Sequence, residues 1–176
     1  MQLEPEDWLY KKFEFMHPVG AYFAVLERVR GTPARLEELV RSFPPEILAA
    51  SPGEEWTIQE HVGHLSDLET LHDGRLQDYR EEKETLRAAD MTNRMTAEAE
   101  HNKASIEELL ARFRQARQRS VEQFESMDRE MVGRSAIHPR LGKPMRVIDL
   151  AQFVAEHDDH HLAAIRLLAK QLVTKN

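Results

Sequence analysis

The chain has 176 residues, 41% of them hydrophobic and with no long apolar run, which suits one soluble domain with a single core and leaves too little for two. A formal net charge of −7 and a pI near 5.7 lack the basic footprint of a nucleic-acid binder, and the absence of cysteine excludes disulfides and any thiol nucleophile of the chain's own. Few glycines and prolines, seven and eight, beside plentiful Leu, Ala, Glu, Arg and Gln favour helix over sheet, so an all-α domain spanning residues 1–176 is expected.

The first residues, MQLEPEDWLYKKF, are acidic where a signal peptide is basic, and no apolar stretch follows, so a cytoplasmic protein with no membrane partner is expected. Residues 1–16 form an N-terminal extension whose Trp8, Leu9 and Phe13 are apolar enough to supply a homodimer interface. Gly31-Thr32-Pro33 reads as a break with a new N-cap, which predicts one short helix over 18–30 and another over 33–42. Pro44-Pro45 and Pro52-Gly53 mark the loop that follows.

Thr57 caps the first long helix, whose apolar row runs Ile58, His61, Val62, Leu65, Leu68, Leu71 or His72, Leu76 and Tyr79, to about Arg80. Residues 84–103 are polar with weak period and read as frayed helix plus loop. Ser105 and Glu108 then form a capping box ahead of the row Ile106, Leu109, Leu110, Phe113, Ala116, Val121 and Phe124, ending near Met127. GRSAIHPRLGKP, residues 133–144, predicts a short hairpin or extended turn, and the last helix runs from about Arg146 to Leu172.

Along that last helix Val147, Leu150, Val154, His157, His161, Ile165, Leu168 and Leu172 recur every three or four residues, which puts His157 and His161 on the apolar stripe itself. His160 falls beside the stripe, and Asp159 lies on a more polar side with Arg166 and Lys170. Inward imidazoles at i and i+4, with Cβ atoms roughly 6 Å apart, make a helical chelate for a zinc-type ion. Two such histidines alone would better suit core residues bonded to carbonyls or carboxylates. His64, at the edge of the first long helix's row, is the candidate third ligand, with Gly63 beside it permitting close backbone approach. Glu60 and Asp67, one turn either side of His64, are placed to orient metal-bound imidazoles or to move protons.

Trp56-Thr57-Ile58-Gln59-Glu60 followed by His64-Leu65, paired with His157-Asp158-Asp159-His160-His161 near the C-terminus, resembles the DinB/YfiT-like superfamily of four-helix proteins. The resemblance covers about residues 18–172. It implies a four-helix bundle with one divalent metal on His64, His157 and His161, zinc or nickel first, iron or manganese next. It also implies a metal-dependent enzyme acting on a small molecule, either a transferase using a low-molecular-weight thiol or a hydrolase. His160 is then a pocket residue, and with Glu60 and Asp67 a candidate for proton transfer. His61 stands between core and pocket wall, while His17, His72, His101 and His138 belong to no constellation and read as solvated or locally bonded.

Two rivals remain at the level of sequence. Glu69-x-x-His72 and Glu98-x-x-His101 match the paired motifs of di-iron carboxylate bundles, although Glu98 and His101 lie in the weakly periodic stretch and His157 and His161 would go unexplained. The other is a non-catalytic homodimeric binding module with a structural or vestigial metal. A zinc-protease reading fails because Asp158 stands where that motif carries its glutamate.

Overall fold

The computed structural model describes residues 7–51, 53 and 55–174, so the first six residues of the N-terminal extension and Pro52 of the predicted loop lie outside the described residues. The elements in chain order are α1 (Tyr22–Arg41), α2 (Ile58–Asp67), α3 (Glu69–Arg80), α4 (Arg94–Glu98), α5 (Ile106–Glu125), α6 (Arg129–Gly133), β1 (Ser135–His138), β2 (Lys143–Arg146) and α7 (Val147–Thr174). Helix α1, the α2–α3 pair, α5 and α7 form a bundle in which α1 packs on α7 and α5, and α2 packs on α5 and α7. The domain is mostly helical, as expected. Among the described residues no helix is long and apolar enough to cross a membrane.

The predicted break at Gly31-Thr32-Pro33 does not occur, because α1 runs through Pro33 without interruption. Proline has no N–H, so the Val29 carbonyl four residues back loses its helical donor. Arg117 of α5 takes that carbonyl instead, its Nη1 donating at 3.0 Å. A tertiary hydrogen bond thus replaces the local one.

The first long helix is in two pieces. Leu68, at φ −71° and ψ −16°, joins α2 to α3 with its N–H still reaching the His64 carbonyl, so the ladder is interrupted for one residue. Thr57 closes a complete capping box at the start of α2: its hydroxyl accepts from the Glu60 N–H at 3.1 Å and its own N–H donates to Glu60 Oε2 at 2.8 Å. The box predicted at Ser105 is only half formed. Ser105 Oγ accepts from the Glu108 N–H at 3.2 Å, but the Glu108 carboxylate accepts from Arg112 one turn on.

Residues 84–103 carry α4, a short 3-10 turn over His101–Lys103 and a single bridge from Thr85 to Ile137 of β1, with little regular structure, as their weak period predicts. The hairpin before α7 also forms, with Ser135 opposite Arg146 and His138 opposite Lys143. Gly142 sits at φ +62° in its turn, a left-handed conformation that glycine adopts without strain.

The apolar interior is divided. One cluster holds Val25, Leu26, Val29, Leu76, Tyr79, Val121, Phe124 and Val154, and the other Leu36, Val62, Leu65, Leu109, Phe113, Ile165 and Leu168. Among the buried polar residues of the bundle, Thr32 of α1, Glu69 of α3, Arg117 of α5 and Asp158 of α7 are joined in one hydrogen-bonded group. Arg117 is the hub. Its Nε and Nη2 donate to Glu69 Oε1 at 3.0 and 2.7 Å, and its Nη1 and Nη2 to Asp158 at 2.5 and 2.9 Å. The Thr32 hydroxyl donates to Asp158 Oδ2 at 2.6 Å. Burial alone would raise the Glu69 carboxyl, but the guanidinium and then His72 hold it below the usual carboxylate range. Burial opposes the charge on Arg117 as well, and Asp158 and Glu69 override it and raise its pKa.

The N-terminal apolar residues do not stand free as an interface set. Phe13 is 3% exposed and its ring lies 4.8 Å from that of Phe153. Trp8 is half-buried, meeting Phe13, Phe153 and His157 edge-on, and only Leu9 of the three remains largely exposed. The reason is that the front of α7 offers an aromatic surface on which these side chains bury.

Candidate metal centre

The turn-by-turn rise of α7 brings His157 and His161 to one face, both 6% exposed, with their Nε2 atoms 3.1 Å apart. Two nitrogens sharing one ion at about 2.0–2.1 Å would stand about 2.9 Å apart at a right angle and ~3.4 Å at the tetrahedral angle. The observed separation falls in that interval. His64, 4% exposed on α2, faces them across the bundle, and ring nitrogens of His64, His157 and His161 all lie within 4.8 Å of one another. The three residues selected by periodicity and spacing thus converge.

The neighbours of these rings decide which nitrogen is available. The Thr96 hydroxyl donates to Asp67 Oδ2 at 2.9 Å, so at His64 Nδ1, 3.0 Å away, the Thr96 oxygen accepts and the imidazole donates. His64 Nε2 is then the unprotonated nitrogen. His161 Nδ1 pairs with His61 Nδ1 at 2.9 Å, which turns its Nε2 toward His157. The Trp56 ring lies 4.6 Å from that of His64 and is stacked against His161 at 6.2 Å, limiting both rotations.

Burial is the main cause of the electrostatic state. It pushes His64 down to about 3, with His61, His72 and His101 adding like charge, and His61 down to about 4. His157 and His161 are held well below the ordinary imidazole value by the same cause. Neutral imidazoles are the form that binds a cation.

The other predicted site residues divide. Asp67 reaches His64 through Thr96 and also accepts from His101 Nε2 at 2.9 Å. Glu60 is committed elsewhere, with Oε2 in the Thr57 box and Oε1 accepting from Asn102 at 3.2 Å, and it does not line the cavity beside the histidines. His160 does line that cavity, its ring 5.2 Å from that of His161 and 5.7 Å from Trp8. Asp159 bonds Arg28 and Arg35 of α1 at the surface, in keeping with its polar side. Gly63 admits a side chain rather than backbone: the His101 ring lies where a Cβ would stand.

Thr96 had no signal in the sequence, and His101 only that of a Glu-x-x-His motif it does not serve, because the stretch that carries them has only a weak period. His72, His101 and His138, expected to be solvated or locally bonded, are all buried; His72 and His138 have local partners, whereas His101 bonds Asp67 on a distant part of the chain. The two Glu-x-x-His motifs form no shared centre: Glu69 serves Arg117 and His72, Glu98 is exposed, and His101 serves Asp67. A cavity of about 750 Å³ opens over the three histidines, with Trp8, Leu68, Leu71 and Phe153 among its apolar walls.

A family model of the DinB superfamily matches residues 28–165. No curated protein matches the chain. Among solved structures, YfiT from Bacillus subtilis, described as a probable metal-dependent hydrolase with an unusual four-helix bundle topology, superposes with a TM-score of 0.75 over 92% of this chain and 93% of that one. The two are 19% identical, so the likeness is one of fold.

Proposed function

The chain belongs to the DinB superfamily, and on that footing we propose that His64, His157 and His161 hold one divalent metal ion in an enzyme that acts on a small molecule. The observation that carries this reading is the convergence of three buried, neutral imidazoles from two helices at the wall of a cavity large enough for a small substrate. Such a donor set suits zinc or nickel, with iron or manganese as alternatives. When bound, the ion supplies Lewis acidity that makes a water or a thiol anionic near neutral pH.

The protein's part is to hold and orient. Thr96 and Asp67 fix the His64 tautomer, His61 pairs with His161, and Trp8, Trp56 and Phe153 give the cavity beside the histidines its aromatic walls. His160, on the cavity wall beside His161, is the side chain placed to carry a proton to or from the reacting group. Hydrolysis is the first reading, in line with the description of YfiT, and transfer of a low-molecular-weight thiol is the second, since the chain offers no cysteine of its own.

The test is metal content per chain by elemental mass spectrometry, on tag-free protein purified without chelators, for wild type and His161→Ala together. Near one equivalent in wild type, lost in the variant, followed by turnover of esters or of thiol and electrophile pairs, is the expected result. No metal in wild type after reconstitution with zinc, nickel or manganese would overturn the proposal.

A further inference from the structure

Beyond the three histidines the cavity has a second polar region, built from α3 and the hairpin. Arg75, His138 and Arg140 line it. Arg75 is 2% exposed, and its guanidinium makes a single hydrogen bond, Nε to the Arg87 carbonyl at 3.2 Å. Among the described residues it has no carboxylate partner. Asp78, the acid one turn further along α3, is fully engaged by Lys83 and by the Arg87 side chain and N–H.

The two hairpin residues carry the same deficit. His138 is 1% exposed; its Nδ1 accepts from the Leu141 N–H at 3.2 Å, so Nε2 bears the proton, and that buried Nε2 has no partner. Arg140 spends Nη1 on the Trp8 and Leu9 carbonyls, while its Nη2 is buried and unpartnered. Every unsatisfied group here is a donor. The acids on the cavity lining, Asp7 and Asp90, are exposed and already accept from their own turns, Asp7 from the Leu9 N–H and Asp90 from Thr92 and Arg94.

Burying cationic groups without counter-charge is costly, and natural folds retain such groups where a ligand supplies the missing partner. Burial, with Arg140 and Arg87 adding like charge, pulls the Arg75 guanidinium down to about 10, even with the Asp78 carboxylate near enough to act the other way. The ring of Phe153, one turn before His157 on α7, lies 5.1 Å from the His138 ring and 5.8 Å from the Arg140 guanidinium, so an aromatic spacer separates the two polar regions.

We propose that Arg75, His138 and Arg140 form an oxyanion subsite, which selects a substrate carrying a carboxylate or phosphate group and holds it with the reactive bond toward the three histidines. This substrate class rests on the metal-dependent reading above; the anion subsite itself does not. A guanidinium with both terminal nitrogens uncommitted fits either anion in a forked pair, and the His138 Nε2–H and Arg140 Nη2 add further donors. The gap to be bridged is the one that the Phe153 ring flanks. A substrate with an anionic end and an apolar or neutral reactive end would span it.

The experiment is titration of the metal-free full chain with inorganic phosphate and, separately, with propionate, followed by calorimetry and by thermal unfolding. Saturable binding of at least one anion is expected in wild type and in His161→Ala, weakened at least tenfold in Arg75→Met and in Arg140→Gln, with the preferred anion identifying the group. Arg75→Met should unfold at a higher temperature than wild type and should no longer gain stability from the anion, which a merely structural arginine would not do. The subsite is overturned if neither anion saturates wild type, if Arg75→Met and Arg140→Gln bind as wild type does, or if Arg75→Met is less stable. Metal analysis on portions of the same protein after reconstitution with zinc, nickel or manganese separates the two readings: anion binding without metal uptake supports the subsite and removes the metal centre, and metal uptake without anion binding does the reverse.

Discussion

Arg117 and Pro33 are complementary: the proline withholds a donor from the Val29 carbonyl, and the arginine, one helix away, provides it at 3.0 Å. The same guanidinium pairs with both Glu69 and Asp158 in the middle of the bundle. Arg117→Met should therefore cost about 3–5 kcal/mol, because two buried carboxylates lose their counter-charge together. Urea unfolding at neutral pH measures it, and adding Glu69→Gln and Asp158→Asn should recover a large part of the loss. An Arg117→Met protein within about 1 kcal/mol of wild type would show the layer to be dispensable.

Thr96 links Asp67 to His64 and has no other evident duty. Replacing its hydroxyl by a methyl group in Thr96→Val should lower metal affinity roughly 10–100-fold while leaving the helical circular dichroism intact. Thr96→Ser should stay close to wild type. Competition with a chromophoric chelator reads both.

His138 gives a pH signature. Burial first, then Arg75 and Arg140, lower it from 6.5 to about 4 in the folded protein. Between those values the unfolded chain takes up a proton that the folded one refuses, so the histidine's contribution is fully present above pH 6.5 and is lost as pH falls through the window toward 4. His138→Gln should lose less stability than wild type between pH 7 and pH 5. Denaturant melts at the two pH values supply the comparison, and equal losses would count against the assignment.

Gly63 faces the His101 ring so closely that an added Cβ would overlap it. Gly63→Ala should push His101 off Asp67 and destabilise by about 1–3 kcal/mol, despite alanine's better helix propensity. The double variant with His101→Ala should be relieved of that strain. Thermal unfolding of the three variants, analysed as a cycle, decides the point.

How much of this was legible in the sequence follows from where each residue lies. His157 and His161 sit on an unbroken apolar stripe, and His64 at the edge of another, so periodicity alone brings them inward. Arg117 and Ser120 left a faint trace, since the α5 row steps from Ala116 to Val121 and these two buried residues fill the gap. Thr96 left none and His101 only a misleading Glu-x-x-His motif, because the position of short elements in a weakly periodic stretch is set by tertiary packing. Pro33 misled because the local rule for a helix-interior proline is blind to a donor arriving from another helix. The oxyanion cluster was equally hidden, as arginine and histidine on a helix or hairpin read as surface until their carboxylate neighbours are seen to be occupied.

The layer of Thr32, Glu69, Arg117 and Asp158 acts as a vernier for the bundle. Apolar side chains tolerate sliding, and two oily halves alone would let neighbouring helices shift lengthwise at little cost. With one charged or hydroxyl rung from each helix meeting at the same height, a slip of one turn, about 5.4 Å, would strand ions in hydrocarbon. That slip exceeds the whole 4.8 Å spread of the imidazole nitrogens, and Asp158 is the immediate neighbour of His157 on the chain. The rung that sets the axial alignment of the helices therefore also sets the height at which the histidines meet.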